Sequence, residues 1–312
     1  MAQQDQPTRL PSQQRVGALV LVTLAVLAVV ALLVVGARWL LTLSGVEAFV
    51  ADFPGVYPLP DAAPVGIPAW VAWQHYFNFF LMALIIRSGL GVRRERRPAA
   101  FWTPRWGKGQ RKISLTLWFH QALDVLWLVN GIVFVVLLFG TGQWMRLVPT
   151  SWEVFPNAIS AGLQYLSLQW PTENGWVHYN GLQQLTYFTT VFVVAPLAAI
   201  SGVRMSGIWP SGATLLNRMY PVEVARAIHF PVMLYFVAFS IVHVALVLAT
   251  GALRNLNHMF ASQGSMDGHA YADNWEGFWI FVAAAMLVVG SWFAARPSII
   301  APIARLFGDV RR

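Results

Sequence analysis

Residues 227–246 read Ala-Ile-His-Phe-Pro-Val-Met-Leu-Tyr-Phe-Val-Ala-Phe-Ser-Ile-Val-His-Val-Ala-Leu, which puts His229 and His243 inside one apolar run. On a helix these fourteen residues make almost four turns, so the two imidazoles share a face and stand about 21 Å apart along the axis. A single histidine in an apolar helix is by default a hydrogen-bonded core residue. Two on one face, at two depths, are harder to assign to packing, because ionisable groups inside a bilayer are costly and mark function. Two more histidines, His75 and His120, each sit near one end of another apolar run. Axial ligation of two b-type haems would satisfy all four imidazoles.

Composition supports a membrane setting. The 312-residue chain is 57% hydrophobic and 11% charged, where a soluble domain carries roughly 25% charged residues. The expected class is an all-α integral membrane protein with six transmembrane helices and no nucleic-acid role. Its net charge of +8 comes from basic residues at the ends of apolar runs, as membrane topology requires. The absence of cysteine excludes disulfides, iron-sulfur clusters, thiolate haem ligation and covalent c-type attachment. Any haem is therefore non-covalent and histidine-ligated.

The spans are expected at about 16–37, 69–90, 113–139, 176–203, 221–250 and 275–295. The first is too long for a cleaved signal core and reads as an anchor. Residues 45–68 read as a loop with a short surface helix, and the tryptophan-rich stretch 142–175 as an interfacial segment. The chain forms one membrane domain, 1–312, with tails 1–15 and 296–312 and a four-helix core, spans two to five, over 69–250. With six spans, alternate connections hold 18 of the 21 Lys and Arg, against Arg38, Arg146 and Arg254 on the other side. That places both termini in the cytoplasm of a multi-pass protein in a bacterial cytoplasmic membrane.

Orientation then sets depth. Span two runs inward with His75 near its outer end; spans three and five run outward, with His120 and His229 near their inner ends and His243 further out. Depth matches His75 with His243 and His120 with His229. Unrelated core histidines would have no reason to fall at two matching levels. Gly131, eleven residues beyond His120, and Gly89, fourteen beyond His75, offer small residues where a flat macrocycle would pass at the opposite level.

The four positions and their order resemble the di-haem cytochrome b subunits of bacterial formate dehydrogenases, nickel-iron hydrogenases and thiosulfate reductases, over about residues 70–250. In that family one histidine comes from each of two adjacent helices and two come from a later helix, fourteen residues apart. The stretch 142–157, Gly-Gln-Trp-Met-Arg-Leu-Val-Pro-Thr-Ser-Trp-Glu-Val-Phe-Pro-Asn, is similar to an actinobacterial branch identified as thiosulfate-reductase cytochrome b. The resemblance implies two haem b groups that carry electrons between a quinone pool, menaquinone or ubiquinone, and an extracytoplasmic oxidoreductase of the molybdopterin type. Spans one and six are additions to that core.

The remaining residues fit a carrier better than a catalyst: no Ser-His-Asp order, His-Glu-x-x-His or glycine-rich phosphate loop is present. Asp124, one turn after His120, either moves a quinone proton or is a structural carboxylate held by an indole, by Asn130 or by an arginine. Arg87, Lys112 and Arg226 on the inner side, and Arg146, Arg254 and the tryptophan indoles on the outer, are the donors available to haem propionates. His178, His258 and His269 lack metal spacing and read as surface histidines. The long outer loops, 144–179 and 254–274, with Glu153, Glu173, Asp267, Asp273 and Glu276 in and beside them, are the expected docking surface. Two rival functions stand beside the quinone-coupled cytochrome. One is a haem-based carrier that reduces a metal at the surface. The other is a haem-free transporter, which interrupted helices in paired repeats would favour and an absorption spectrum would separate.

Overall fold

The computed structural model describes residues 12–56, 59–105, 112–170, 179–210, 212–264 and 272–312, with side chains from residue 16. The expectations placed on residues 1–11, on Glu173, Trp176, His178, Asp267 and His269 lie outside the described residues. The helices are α1 (Ser12–Leu40), α2 (Ser44–Asp52), α3 (Ala69–Arg94), α4 (Leu115–Gly140), α5 (Val154–Leu166), α6 (Gly181–Phe188), α7 (Ala195–Met205), α8 (Thr214–Met219), α9 (Val222–Ala249), α10 (Ala252–Ala261), α11 (Glu276–Ala294) and α12 (Pro297–Arg305). Three short strands join them: β1 (Phe101–Pro104), β2 (Ile113–Ser114) and β3 (Gly308–Arg311).

Among the described residues six helical stretches are long and apolar enough to cross a bilayer: Val16–Leu40, Ala69–Arg94, Leu115–Gly140, Gly181–Met205, Val222–Ala249 and Glu276–Ala294. They match the six expected spans, and the protein is an all-α, multi-pass membrane protein. The fourth combines α6 and α7 through a π-helical turn, Thr189–Val194. Pro196 explains that turn: it has no N–H to give the carbonyl of residue 192, and its ring would strike that carbonyl in a regular helix.

The chain forms two compact units. The first comprises Met1–Tyr57, Glu153–Pro171 and Asn180–Leu182. Here α1 and α2 are stitched to α5: the Arg38 Nε–H donates to Ser167 O at 2.9 Å, Gln164 Nε2 to Pro54 O at 2.9 Å, and Asn157 Oδ1 accepts the Gly55 N–H at 2.9 Å. Gly181 must be glycine, since a Cβ there would lie 2.6 Å from Val154 O and 2.7 Å from Ala158 N. The apolar side chains of α1 point outward nearly all round, as a lipid-facing helix requires.

The second unit holds the other five spans. Its helices pack most closely as two neighbouring pairs, α3 with α4 and α7 with α9; α10 and α11 pack against α3. Ser114 caps α4 by accepting the Leu117 N–H at 3.2 Å. At the end of the bundle where α3 finishes in Arg93 and Arg94, here called the basic end, the antiparallel sheet β2-β1-β3 and helix α12 cover the start of α4. Ala100, Leu115, Trp118, Ile300 and Ala304 form the core beneath them.

Residues 296–312, expected as a tail, are therefore a packed helix and strand. Nothing in Gly-Asp-Val-Arg signals a strand by itself; its partner, β1, is some two hundred residues away. Gly308 opens β3 where a Cβ would run into the Trp102 indole and Thr103 O. Replacing Gly308 with Val should free β3 from β1. Overpacking costs about 1–3 kcal/mol, so limited proteolysis should trim the C-terminal strand roughly tenfold faster, with the rest of the bundle resistant as before.

Candidate functional site

Helices α3, α4 and α9 bring the four histidines together as two pairs. His75 on α3 faces His243 on α9 with ring centres 6.3 Å apart, and His120 on α4 faces His229 on α9 at 6.5 Å. The pairs form two levels in the bundle: His120 and His229 at the basic end, His75 and His243 at the far end. Imidazole–metal bonds run about 2 Å, so a metal between two imidazoles holds their nitrogens about 4 Å apart and their ring centres roughly 6 Å apart. Both pairs have the separation that a bis-imidazole haem iron needs. Among the described residues no three His, Asp or Glu side chains gather as a bare metal cluster.

The two levels are built differently. At the far end the imidazoles are wrapped in rings: Phe260 meets His75 edge-on at 5.6 Å, and Phe239 stacks on His243 at 5.4 Å, with Tyr187 at 6.3 Å. His75 Nδ1 has no hydrogen-bond partner among the described residues. At the basic end each ring has a serine and a glycine beside it. Ser88 Oγ lies 2.9 Å from His120 Nδ1 and Ser201 Oγ 2.9 Å from His229 Nδ1. A Cβ on Gly89 would stand 3.1 Å from His120 Cε1, and one on Gly202 3.6 Å from His229 Cε1. A Ser-Gly dipeptide thus stands beside a histidine ring twice, on α3 and on α7. It was visible in two apolar spans, but sequence reasoning passed over Ser88, Ser201 and Gly202 because serine and glycine are common in membrane helices.

Between the levels the bundle is closed by Trp127 and Phe236, an edge-to-face pair at 6.3 Å. Trp127 lies seven residues beyond His120, and Phe236 seven beyond His229 and seven before His243, so each keeps the histidine face at mid-depth. Trp127 Nε1 donates to Asn78 Oδ1 at 3.2 Å, tying α4 to α3.

The other expected site residues fall as follows. Gly131 faces open space, with nothing within 4 Å of where a Cβ would be. Gly89 is at the basic level, as expected, and lies directly against the His120 ring. Asp124 Oδ2 is 3.7 Å from His120 Nε2, too long for a hydrogen bond. The indole of Trp127 is on Asn78, and Asn130 Nδ2 has no partner among the described residues, so neither holds Asp124. Arg87 is committed to the sixth span: it donates to Ala295 O at 2.7 Å and lies 5.8 Å from the Trp292 ring. Arg226 is exposed on α9. Lys112 lies over the Phe101 ring at 4.1 Å. At the far end Arg146 donates to Gln143 Oε1 at 3.0 Å and Pro64 O at 2.7 Å, and Arg254 to Thr250 O at 2.7 Å.

A membrane bundle holding two opposed histidine pairs at two depths is the frame of a membrane cytochrome b. The chain belongs to the prokaryotic cytochrome b561 family, whose sequence pattern matches residues 66–262 and so covers all four histidines. It is a transmembrane haem-b electron carrier. A putative protein-methionine-sulfoxide reductase subunit, YedZ1, of Azospira oryzae is 27% identical over 195 residues, which make up 58% of this chain and 88% of that one. No solved structure matches the chain.

His258, expected at the surface, is instead buried on α10, 4% exposed, with Nε2 unpartnered among the described residues. Burial first, and the Arg254 charge second, lower its pKa from 6.5 to about 4. It is neutral at pH 7. Because the folded state binds this proton less readily than the unfolded state, stability is complete above pH 6.5 and falls as pH drops toward 4. The loss is at most about 3 kcal/mol, from 1.36 kcal/mol per unit. Thermal unfolding in detergent should show a midpoint that falls between pH 6.5 and 4.5. His258→Gln should flatten that dependence.

Proposed function

We propose that this protein holds two low-spin, bis-histidine b haems, one between His75 and His243 and one between His120 and His229, and carries electrons through them between membrane quinone and an oxidoreductase partner. The observation that supports this most is that both pairs have ring separations near 6 Å, the spacing of two imidazoles on one metal. The haems supply one-electron exchange; the protein supplies ligands, orientation and an apolar wall. Gly89 lets α3 approach the His120 ring, and Gly131 is the small residue proposed to leave space for the macrocycle at the other level. Arg226 is the propionate donor at the basic end, and Arg87 serves there only if it gives up Ala295 O.

The basic end is read as cytoplasmic because the alternation of six spans along the sequence assigns 18 of the 21 Lys and Arg, those at the end of α3 among them, to the cytoplasmic side. Both termini then lie inside a bacterial cytoplasmic membrane, and the far-end histidines face the outer loops. A redox subunit docking there, of the molybdopterin type that the sequence resemblance implies, exchanges electrons with the nearer pair. The name of the Azospira relative makes a methionine-sulfoxide reductase the first partner to try. The quinone, menaquinone or ubiquinone, is left to the basic end. Asp124 is the carboxylate beside a ligand there, and carrying the quinone proton is its proposed task.

A pyridine haemochrome assay should give two haems per chain, and a quinol should reduce them in membranes. Alanine at His75 or His243 should remove one spectral component, and alanine at His120 or His229 the other. One haem or none per chain, or loss of the same component from the His75 and His120 variants, would defeat the assignment. Asp124→Asn should keep both haems and slow quinone-linked haem oxidation at least several-fold; full turnover would make Asp124 structural.

A further inference from the structure

The two serines at the basic end carry more information than their distance to the rings. A serine hydroxyl has one proton to donate and two lone pairs to accept with. Ser88 Oγ donates to Ile85 O at 3.0 Å, and Ser201 Oγ donates to Leu197 O at 2.6 Å, with Ala198 O at 3.1 Å. Each hydroxyl proton is therefore committed to a carbonyl of its own helix, three or four residues back. If it turned toward the imidazole instead, Oγ and the carbonyl oxygen would face each other at 2.6–3.0 Å with no proton between them. What remains for the ring is a lone pair, so each Oγ accepts a hydrogen bond from the Nδ1–H of its histidine.

That choice fixes the tautomer. With the proton on Nδ1, Nε2 of His120 and of His229 is the bare nitrogen, the one free to bind a metal. Metal-ligating histidines characteristically donate their other N–H to an acceptor, which orients the ring and raises its basicity. Both serines are as buried as any side chain in the protein, 1% and 0% exposed, so water does not compete for the Nδ1–H. The glycine that follows each serine lets its helix approach the ring. The far end has no such arrangement at His75, whose Nδ1 is unpartnered among the described residues and whose neighbours are aromatic.

We infer that Ser88 and Ser201 are matched positioning residues that hold both basic-end imidazoles as Nδ1–H tautomers, present Nε2 to the haem iron, and lower the reduction potential of that haem alone. The inference rests on the ligand assignment under Proposed function and adds an asymmetry between the two centres. Stronger ligand basicity favours the ferric state, so the serines pull the basic-end haem toward more negative potential.

The test is an optical redox titration of the full-length protein in membranes, with each spectral component assigned beforehand by the His75→Ala and His120→Ala variants. Ser88→Ala and Ser201→Ala should each move the basic-end component to a more positive potential, and the double variant should move it further. The far-end component should stay where it is and serve as the internal check on folding. Loss of the basic-end component alone is the same effect carried further, since removing an outer-shell partner weakens ligation by roughly 10–100-fold. Ser88→Thr, which keeps an oxygen at that place, should restore the unmutated potential. Two retained haems with no shift, an equal shift in both components, or a Thr variant displaced as far as the Ala variant would overturn the inference. Fewer than two haems in the unmutated protein would remove the ligand assignment itself, and this inference with it.

Discussion

An imidazole buried in an apolar bundle has two nitrogens to satisfy, and much of this structure answers that demand. At the basic end one nitrogen of each ring is settled by a serine hydroxyl whose own proton is spent on its helix. The other nitrogen of His120, Nε2, stands 3.7 Å from Asp124 Oδ2. Close packing of α3 on α4 and of α7 on α9 concentrates contact within each pair, and the rings meet across the boundary between them at 6.3 and 6.5 Å.

The two levels each hold a histidine pair but differ in surroundings. Aromatic rings from α9, α10 and the fourth span enclose the far-end pair. Serine and glycine flank the basic-end pair. Because outer-shell hydrogen bonds and local polarity set the electronics of a histidine-ligated iron, two sites with the same ligands need not be equivalent. Pro196 and Pro231 add local irregularity to the fourth and fifth spans. The first underlies the π turn that carries Thr190, which hydrogen-bonds Tyr235 at 2.8 Å.

The family match spans residues 66–262. Helices α1, α2, α11 and α12 and the strand β3 fall outside it. Of these, α11 packs along α3 and takes the Arg87 side chain, while α12 and β3 close the basic end over α4. Within the second unit α11, α12 and β3 thus pack on the histidine-bearing helices α3 and α4.

The sequence by itself determined the membrane class, the six spans and the two depths. Each of these follows from a one-dimensional regularity: runs of apolar residues, basic residues at one set of ends, and the 1.5 Å rise that converts fourteen residues into a separation. That Trp127 and Phe236 meet at mid-depth came from the fold and not from the sequence. Only the tertiary structure decided that Ser88 reaches His120 on the neighbouring helix and Ser201 reaches His229, that Arg87 turns to Ala295, and that Asp124 stands by His120 rather than on an indole or amide. The same holds for β3, whose four residues carry no strand signal and pair with β1 only once the chain returns to the basic end. These are contacts between elements far apart in sequence. They depend on the rotation of each helix about its axis, which apolar runs inside a bilayer leave almost undetermined because every face of such a helix is hydrophobic.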